Sequence, residues 1–222
     1  MPELPQRAQA NGPALIQSSV VVLAKDVNQS IFSPVWLLKN GILLEEEFRP
    51  EEAVFVPGLT RVNAANFEFM ALPDRLQMQF PASVDDADTV LARVLGGVAK
   101  ILPHTPFVAV GLNNHFVLKP TDASHFAEWN RAIFASPWAL KQATGSARDR
   151  FGTSFAYDTF GGARMRVRAA VSAEPTNPSE GQVATVSTPP YVVNLHCNLH
   201  RDLQLPDVEV SKELPRMLAL WK

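Results

Sequence analysis

The sequence contains a single cysteine among 222 residues, and charged residues make up only 19% of it. One cysteine excludes an intrachain disulfide and fits the reducing environment of the cytoplasm. The formal net charge of −2 gives the chain no overall attraction for nucleic acid or for an anionic membrane. We therefore expect a cytoplasmic protein whose fold depends on a hydrophobic core rather than on covalent cross-links.

Long apolar runs and a leader segment are also missing. No window reaches the apolar length that spans a bilayer, and residues 1–17 lack the basic and apolar regions of a signal peptide. These absences predict that the membrane is not a partner. We expect residues 1–17 to form a polar arm, disordered or docked on a partner, and residues 18–222 to form a single domain.

The common motifs of nucleotide binding and catalysis are absent. The chain has no Gly-x-x-x-x-Gly-Lys-Ser/Thr, Gly-x-Gly-x-x-Gly, Gly-x-Ser-x-Gly or His-Glu-x-x-His. Cys197 falls on the apolar side of a predicted strand, where a cysteine acts as a small hydrophobe rather than as a nucleophile. The sequence therefore argues against an enzyme and predicts no cofactor, although convergent sites can exist without local motifs.

Hydrophobic periodicity predicts both strands and helices. Residues 20–23 form a continuous apolar run, and residues 66–80 alternate between apolar and polar on either side of a turn. Helices are predicted after the Ser33 cap and from Ser83 to Leu102. Strand pairs followed by helices indicate the α+β class. We expect a mostly antiparallel twisted sheet with helices packed on one face, including a long C-terminal β-hairpin that ends near His200.

The predicted helix from Ser83 contains two unusual features, a pair of adjacent glycines and a group of aspartates near its start. Glycines at positions 96 and 97 weaken the helix from Ser83 by about 1 kcal/mol each relative to alanine, so close backbone packing is expected there. The aspartates near its start complement the helix macrodipole, which explains them more simply than a metal site. A last helix is predicted from a Ser211 cap to Trp221.

The most informative stretch is residues 192–201, Val-Val-Asn-Leu-His-Cys-Asn-Leu-His-Arg. In a strand, successive side chains point to opposite faces. One face would therefore be apolar and typical of a core, with Val193, Leu195, Cys197 and Leu199. The opposite face would carry Asn194, His196, Asn198 and His200. This Asn/His face is either the solvent-exposed side of a sheet or part of a binding site.

Histidines on one strand face suggest a metal site, because imidazole is a common zinc ligand. His196 and His200, however, are four residues apart, which places their side chains about 13 Å apart in a regular strand. That separation is too large for one ion unless the strand bulges. Pairing of either histidine with His115 or Asp158 across the sheet remains open, and an ordinary polar sheet face is the favoured alternative.

A second polar stripe consists of Arg164, Arg166 and Arg168, which alternate with apolar residues. Guanidinium groups bind phosphate or carboxylate through two parallel hydrogen bonds. In the predicted hairpin this stripe would lie beside the Asn/His face and form one surface rich in donors. A solvated face or a partner interface is the favoured reading, since charge on an exposed strand prevents edge-to-edge aggregation. Nucleic-acid binding lacks the support of neighbouring exposed aromatic residues.

Three segments resemble a group of uncharacterised bacterial proteins. They are V-V-V-L-A-K-D-V-N-Q-S-I-F-S-P-V-W-L-L-K-N-G-I-L (residues 20–43), D-R-L-Q-M-Q-F (74–80) and F-V-A-V-G-L-N (107–113). That group shares a valine-rich strand, an Asp-x-Asn-x-Ser-Ile stretch, a Pro-x-x-Leu helix and an Ala-Val-Gly-Ile-Asn-like strand. The resemblance covers about the first half of the chain. It implies a bacterial or phage-derived cytoplasmic protein and supplies no catalytic residue, because no activity is established for the group.

These observations leave three functional hypotheses. The first is a non-enzymatic accessory or assembly protein that binds a protein partner or a second copy of itself. The second is a metal- or small-ligand-dependent enzyme or binder built on His196, His200 and His115. The third is nucleic-acid recognition through Arg164, Arg166 and Arg168.

Overall fold

The computed structural model describes residues 13–82, 84, 86–129, 152–158, 163–173, 191–203 and 207–218. By their contacts these residues form two compact units. The smaller unit contains residues 13–16, 115–129, 152–156, 166–173 and 191–197 of the described chain, and the larger unit contains the rest. The single domain expected for residues 18–222 stays a prediction.

The described part of the chain contains nine β-strands in one hydrogen-bonded order, β2-β3-β4-β5-β1-β6-β9-β8-β7. Their bounds are Ala14–Ala24 (β1), Val54–Val56 (β2), Leu59–Asn63 (β3), Glu68–Leu72 (β4), Arg75–Pro81 (β5), Phe107–Leu118 (β6), Gly152–Asp158 (β7), Arg164–Ala173 (β8) and Tyr191–Asp202 (β9). The pairs β1–β5, β2–β3, β3–β4 and β4–β5 are antiparallel. The predicted antiparallel sheet is confirmed, in a strand-rich α+β fold.

Helices are fewer and mostly short. Their bounds are Pro34–Lys39 (α1), Ala87–Ile101 (α2), Ala123–Trp129 (α3) and Asp207–Leu218 (α4), and α2 contains a π-helical turn at Ala92–Gly96. No helix in the described ranges is long and apolar enough to cross a membrane. The packing of helices on one face of the sheet and the long C-terminal hairpin stay predictions, and residues 174–190 lie outside the described residues.

Alternating burial along the strands builds the core of the larger unit. In β1, Val20, Val22 and Ala24 are buried, while the residues between them are half-buried. The same alternation in β4 and β5 follows their sequence pattern, because every second side chain points to one face. Helix α2 adds its apolar stripe to this core through Val90, Leu91, Val94, Leu95 and Val98.

The first helix forms as its sequence predicts. The Ser33 hydroxyl accepts a hydrogen bond from the backbone N–H of Trp36 at 3.3 Å, and Pro34 follows it at the first helical position. Gly41 has a φ of 65°, in the left-handed region that glycine adopts without steric cost. Cap, proline and glycine therefore set the bounds of α1.

Several predicted bounds are wrong. Strand β1 begins at Ala14, so residues 14–17 belong to a strand rather than to the polar arm, and their side chains alternate between exposed and half-buried. Residues 1–12 lie outside the described residues. Helix α4 begins at Asp207 instead of Ser211. Its first turn was not predicted as helical because the two valines of the Val-Glu-Val stretch are β-branched and favour strands. Strand β3, which precedes the alternating stretch of residues 66–80, was not predicted as a separate strand.

The two adjacent glycines of α2 differ in their surroundings. A Cβ atom at Gly97 would lie 2.7 Å from Cδ1 of Ile42, whereas a Cβ atom at Gly96 would meet no atom within 4 Å. The predicted close packing is therefore confirmed at Gly97 and wrong at Gly96, which lines an open groove beside α4.

Candidate functional site

In the smaller unit, β6 and β9 bring two histidines into contact. The imidazole rings of His115 and His196 are stacked, with centroids 4.2 Å apart and planes inclined by 15°. His115 Nε2 lies 3.0 Å from Oδ1 of Asn194. With the amide oxygen as acceptor, Nε2 of His115 carries the proton, because an amide oxygen cannot donate. The neighbouring strands β6 and β9 thus hold both rings side by side. Of the two partners considered for His196, His115 and Asp158, the structure pairs it with His115.

The surroundings of His196 disfavour its charged form. Partial burial is the largest cause that lowers the pKa of His196 below its ordinary value, followed by the positive charges of His115 and Arg168. His196 is nevertheless exposed. At neutral pH the ring is therefore a neutral, accessible imidazole next to a permanent guanidinium charge.

Strand β8 contributes two arginines to this unit. Arg166 and Arg168 are exposed, and the intervening Val167 is half-buried, as the predicted alternation requires. Neither arginine has a carboxylate within ion-pair distance among the described residues. We call the set of His115, Asn194, His196, Arg166 and Arg168 the polar face.

The opposite side of these strands is apolar. Ala169 and Val193 are buried, and Leu118, Phe126 and Leu195 pack against them. Phe126 belongs to α3, so this small cluster joins β6, β8 and β9 to that helix. Because strand side chains alternate, the apolar packing fixes the polar face on the other side.

The remaining predicted residues lie in the larger unit, where each has its own partner. Asn198 donates from Nδ2 to Oδ1 of Asn113 at 2.6 Å. A Cβ atom at Gly111 would lie 3.3 Å from that same Nδ2, so the glycine leaves room for the Asn198 amide. His200 Nε2 lies 3.1 Å from Oδ1 of Asp202.

Arg164 also belongs to the larger unit. Its Nε lies 3.2 Å from Oδ1 of Asp158, in an ion pair whose two side chains are both well exposed. The expected alternation of Arg164, Arg166 and Arg168 is confirmed. Only the second and third of these arginines, however, are free of a carboxylate partner in the described chain.

The geometry gives little support for a single metal ion on the histidines. His196 stacks on His115, and the in-plane lone pairs of two nearly parallel rings do not converge on one point. Among the described residues no group of three or more His, Cys, Asp or Glu side chains is close enough to hold a metal ion. His200 is engaged with Asp202 instead.

The cysteine is not placed for nucleophilic chemistry. Cys197 is half-buried, and burial raises the pKa of its thiol. Strand alternation also points Cys197 away from His196. The predicted role as a small hydrophobe agrees with both observations.

Two of the cavities lined by described residues belong to the larger unit. The larger, of about 840 Å³, runs along α2 beside α4 and is lined by residues that include Arg93, Gly96 and Pro215. The smaller, of about 660 Å³, lies between the loop after β1 and the β2–β3 hairpin. Asp26 and Asn28 line this second cavity, as expected for a loop that leaves a strand end.

One contact of β9 had no signal in the sequence. Arg201 forms an ion pair with Glu213 of α4 at 2.7 Å and lies 3.4 Å from the sulfur of Met217. Nothing in the local pattern of either element identifies these partners. The contact joins the end of β9 to α4 within the larger unit and has a structural role.

Comparison of the sequence with models of known protein families and with curated proteins finds no match in either case. The resemblance of residues 20–43, 74–80 and 107–113 to uncharacterised bacterial proteins therefore stays a prediction.

Proposed function

We propose that the protein is a non-enzymatic binding protein and that its polar face binds an anionic ligand or partner. The observation that carries this proposal is the pair of exposed guanidinium groups, Arg166 and Arg168, without a described carboxylate partner. The imidazole of His196 is close enough to Arg168 to be affected by its charge and adds a further hydrogen-bonding group. A surface of this composition favours anions, because charge-assisted hydrogen bonds from arginine are among the strongest in proteins.

A role in binding rather than in catalysis has its own support. The thiol of Cys197 has a raised pKa, and strand alternation directs it away from the polar face. His115 is hydrogen-bonded to the Asn194 amide rather than to a hydroxyl or thiol that it could activate. The five residues of the polar face offer donors and positive charge but no hydroxyl or thiol group.

The expected affinity for a small anion is modest. Each charge-assisted hydrogen bond contributes about 1.5–3 kcal/mol, so one bond from each arginine gives about 3–6 kcal/mol, which corresponds to a Kd between about 6 mM and about 40 μM. Tighter binding requires a larger partner that uses more of the surface. The proposed partner is therefore a protein or a second copy of this chain that presents an anionic group.

A cytoplasmic location is part of the same proposal. It is supported by the single, half-buried Cys197, which is unsuited to a disulfide within the chain.

The proposal is tested by titrating sulfate into the protein at constant ionic strength while the imidazole and guanidinium NMR signals are followed. We expect saturable shifts of the His196, Arg166 and Arg168 signals, and loss of binding in the Arg166→Gln/Arg168→Gln variant. Arg164→Gln is the matched control, because this arginine alternates with the others but pairs with Asp158. Sulfate shifts that do not saturate, or that persist unchanged in the double variant, would contradict the proposal.

A further inference from the structure

The polar face contains two permanent positive charges, on Arg166 and Arg168, and a third on His196 when its imidazole is protonated. Arg166 and Arg168 are two residues apart on one strand face, so their Cα atoms are about 7 Å apart. Both side chains are exposed. His196 on β9 is close enough to Arg168 to be affected by its charge. A ligand on this face therefore meets two guanidinium groups and one imidazole.

The imidazole responds to what is bound beside it. The titratable and charged groups that face His196 are His115 from β6 and Arg168 from β8, and on its own strand the neighbours on the same face are the amides Asn194 and Asn198. None of them is a carboxylate. A bound anion would add a negative charge beside these groups, and it would favour the imidazolium form of His196.

We propose, on the basis of the anion-binding function above, that the ligand group is a phosphate monoester whose binding is accompanied by protonation of His196. A monoester has three terminal oxygens and a charge of −1.5 to −2 at neutral pH. Arg166 and Arg168 each bind one or two of these oxygens, and the His196 imidazolium donates to another. The two guanidinium charges balance the charge of the dianion.

Other common anions match this arrangement less well. A phosphodiester has a single negative charge and two free oxygens, and a carboxylate likewise has one charge and two oxygens. Either leaves one of the three donor groups without a charged acceptor. The loss of one charge-assisted hydrogen bond is expected to lower the affinity at least about tenfold.

The same arrangement makes binding depend on pH. Above about pH 7 the free monoester is mostly a dianion and the free His196 is neutral, so the complex takes up one proton. The association constant then falls by up to tenfold for each unit of rising pH between about 7 and 8.5.

The test measures binding of four probes to the full chain by calorimetry in phosphate-free buffer. They are a phosphoserine peptide, the same peptide with Glu in place of phosphoserine, oligothymidylate, and free O-phosphoserine. We expect the phosphoserine peptide to bind at least about tenfold more tightly than the Glu peptide and more tightly per site than oligothymidylate.

Variants assign the effect to residues. Arg168→Gln is expected to reduce phosphopeptide affinity at least about tenfold, and His196→Gln is expected to remove the pH dependence above pH 7. Arg164→Gln should change neither quantity, because this side chain is paired with Asp158. A circular dichroism spectrum of each variant shows whether it is folded.

These experiments distinguish failure of the phosphate monoester assignment from failure of anion binding itself. Equal affinity for the Glu peptide, or tighter binding of oligothymidylate, overturns the monoester assignment while the sulfate result above still stands. A pH dependence that His196→Gln leaves intact overturns the protonation step. Free O-phosphoserine that binds as tightly as the peptide supports a small phosphorylated ligand, and a clear preference for the peptide supports a phosphorylated protein. Absence of sulfate binding overturns the function itself.

Discussion

Replacing Gly96 and Gly97 by alanine, one at a time, is expected to change the stability of the protein in different directions. Both residues have helical backbone angles, with φ and ψ of −65° and −39° at Gly96 and −63° and −47° at Gly97. Alanine therefore fits the backbone at either position. In a helix interior alanine is more favourable than glycine by about 0.5–1 kcal/mol.

The surroundings decide the sign of each change. The new methyl group at position 96 meets no atom within 4 Å, so Gly96→Ala should stabilise the protein by the full helix term of about 0.5–1 kcal/mol. At position 97 the methyl carbon would lie 2.7 Å from Cδ1 of the buried Ile42. Such overpacking costs about 1–3 kcal/mol, so Gly97→Ala should be between neutral and roughly 2.5 kcal/mol destabilising.

A second substitution isolates the contact. Ile42→Val removes Cδ1 at a cost of about 0.5–1.5 kcal/mol. In that background Gly97→Ala should stabilise the protein, which gives a coupling free energy of at least about 1 kcal/mol in a double-mutant cycle. Urea unfolding followed by tryptophan fluorescence supplies the four free energies, provided that the m value is unchanged. Equal stabilisation by the two alanines, or additivity of Gly97→Ala and Ile42→Val, would refute the steric argument.

Three further predictions concern single side chains. Ser33→Ala removes the hydroxyl that caps α1 at Trp36 and should cost about 1 kcal/mol in urea unfolding, whereas Ser33→Asp should retain most of the stability. Asn198→Ala deletes the hydrogen bond to Asn113 and should cost about 0.5–1.5 kcal/mol; an unchanged midpoint would show that solvent replaces the bond fully. Because the pKa of His196 is lowered in the folded protein, the unfolded state binds more protons, and stability present above about pH 6.5 is lost as the pH falls through the folded pKa. His196→Gln should weaken that acid dependence of unfolding, and an identical pH profile for the variant would contradict the lowered pKa.

Local patterns predicted those parts of the fold that depend on neighbouring residues along the chain. The cap, proline and glycine around α1 lie within nine residues and agree with the structure. In β9 the alternation predicted the burial of Val193, but Val192 on the opposite face is buried as well, and Asn194 and Leu195 are both half-buried, so burial there does not follow the period-two pattern. The start of α4 was wrong because its first turn contains β-branched valines, and the preference of such residues for strands was overridden in the folded chain.

Contacts between distant segments had no comparable signal. His115 and His196 are separated by eighty positions, and only the order in which β6 and β9 pair brings their rings together. The sequence offered His115 as one of two possible partners, since period-two alternation assigns a face but no register. The contact of Ile42 with Gly97 is of the same kind: the glycine could be recognised from the sequence, but its neighbour could not.

The seven predicted site residues fall into two groups, those whose side chains already have a partner within the protein and those that are available to bind a ligand. Asn198, His200 and Arg164 each have a partner in the larger unit, at Asn113, Asp202 and Asp158. A side chain that is already hydrogen-bonded must give up that contact before it can bind a ligand, which reduces the net gain. Arg166 and Arg168 have no such carboxylate in the described chain, and the neutral form of His196 is favoured first by its partial burial and then by the positive charges of its neighbours. An anion bound beside these residues would accept hydrogen bonds from both arginines. Its negative charge would also reduce the repulsion that opposes protonation of His196. We therefore expect anion binding to be more favourable at Arg166, Arg168 and His196 than at Asn198, His200 and Arg164, whose side chains are already paired.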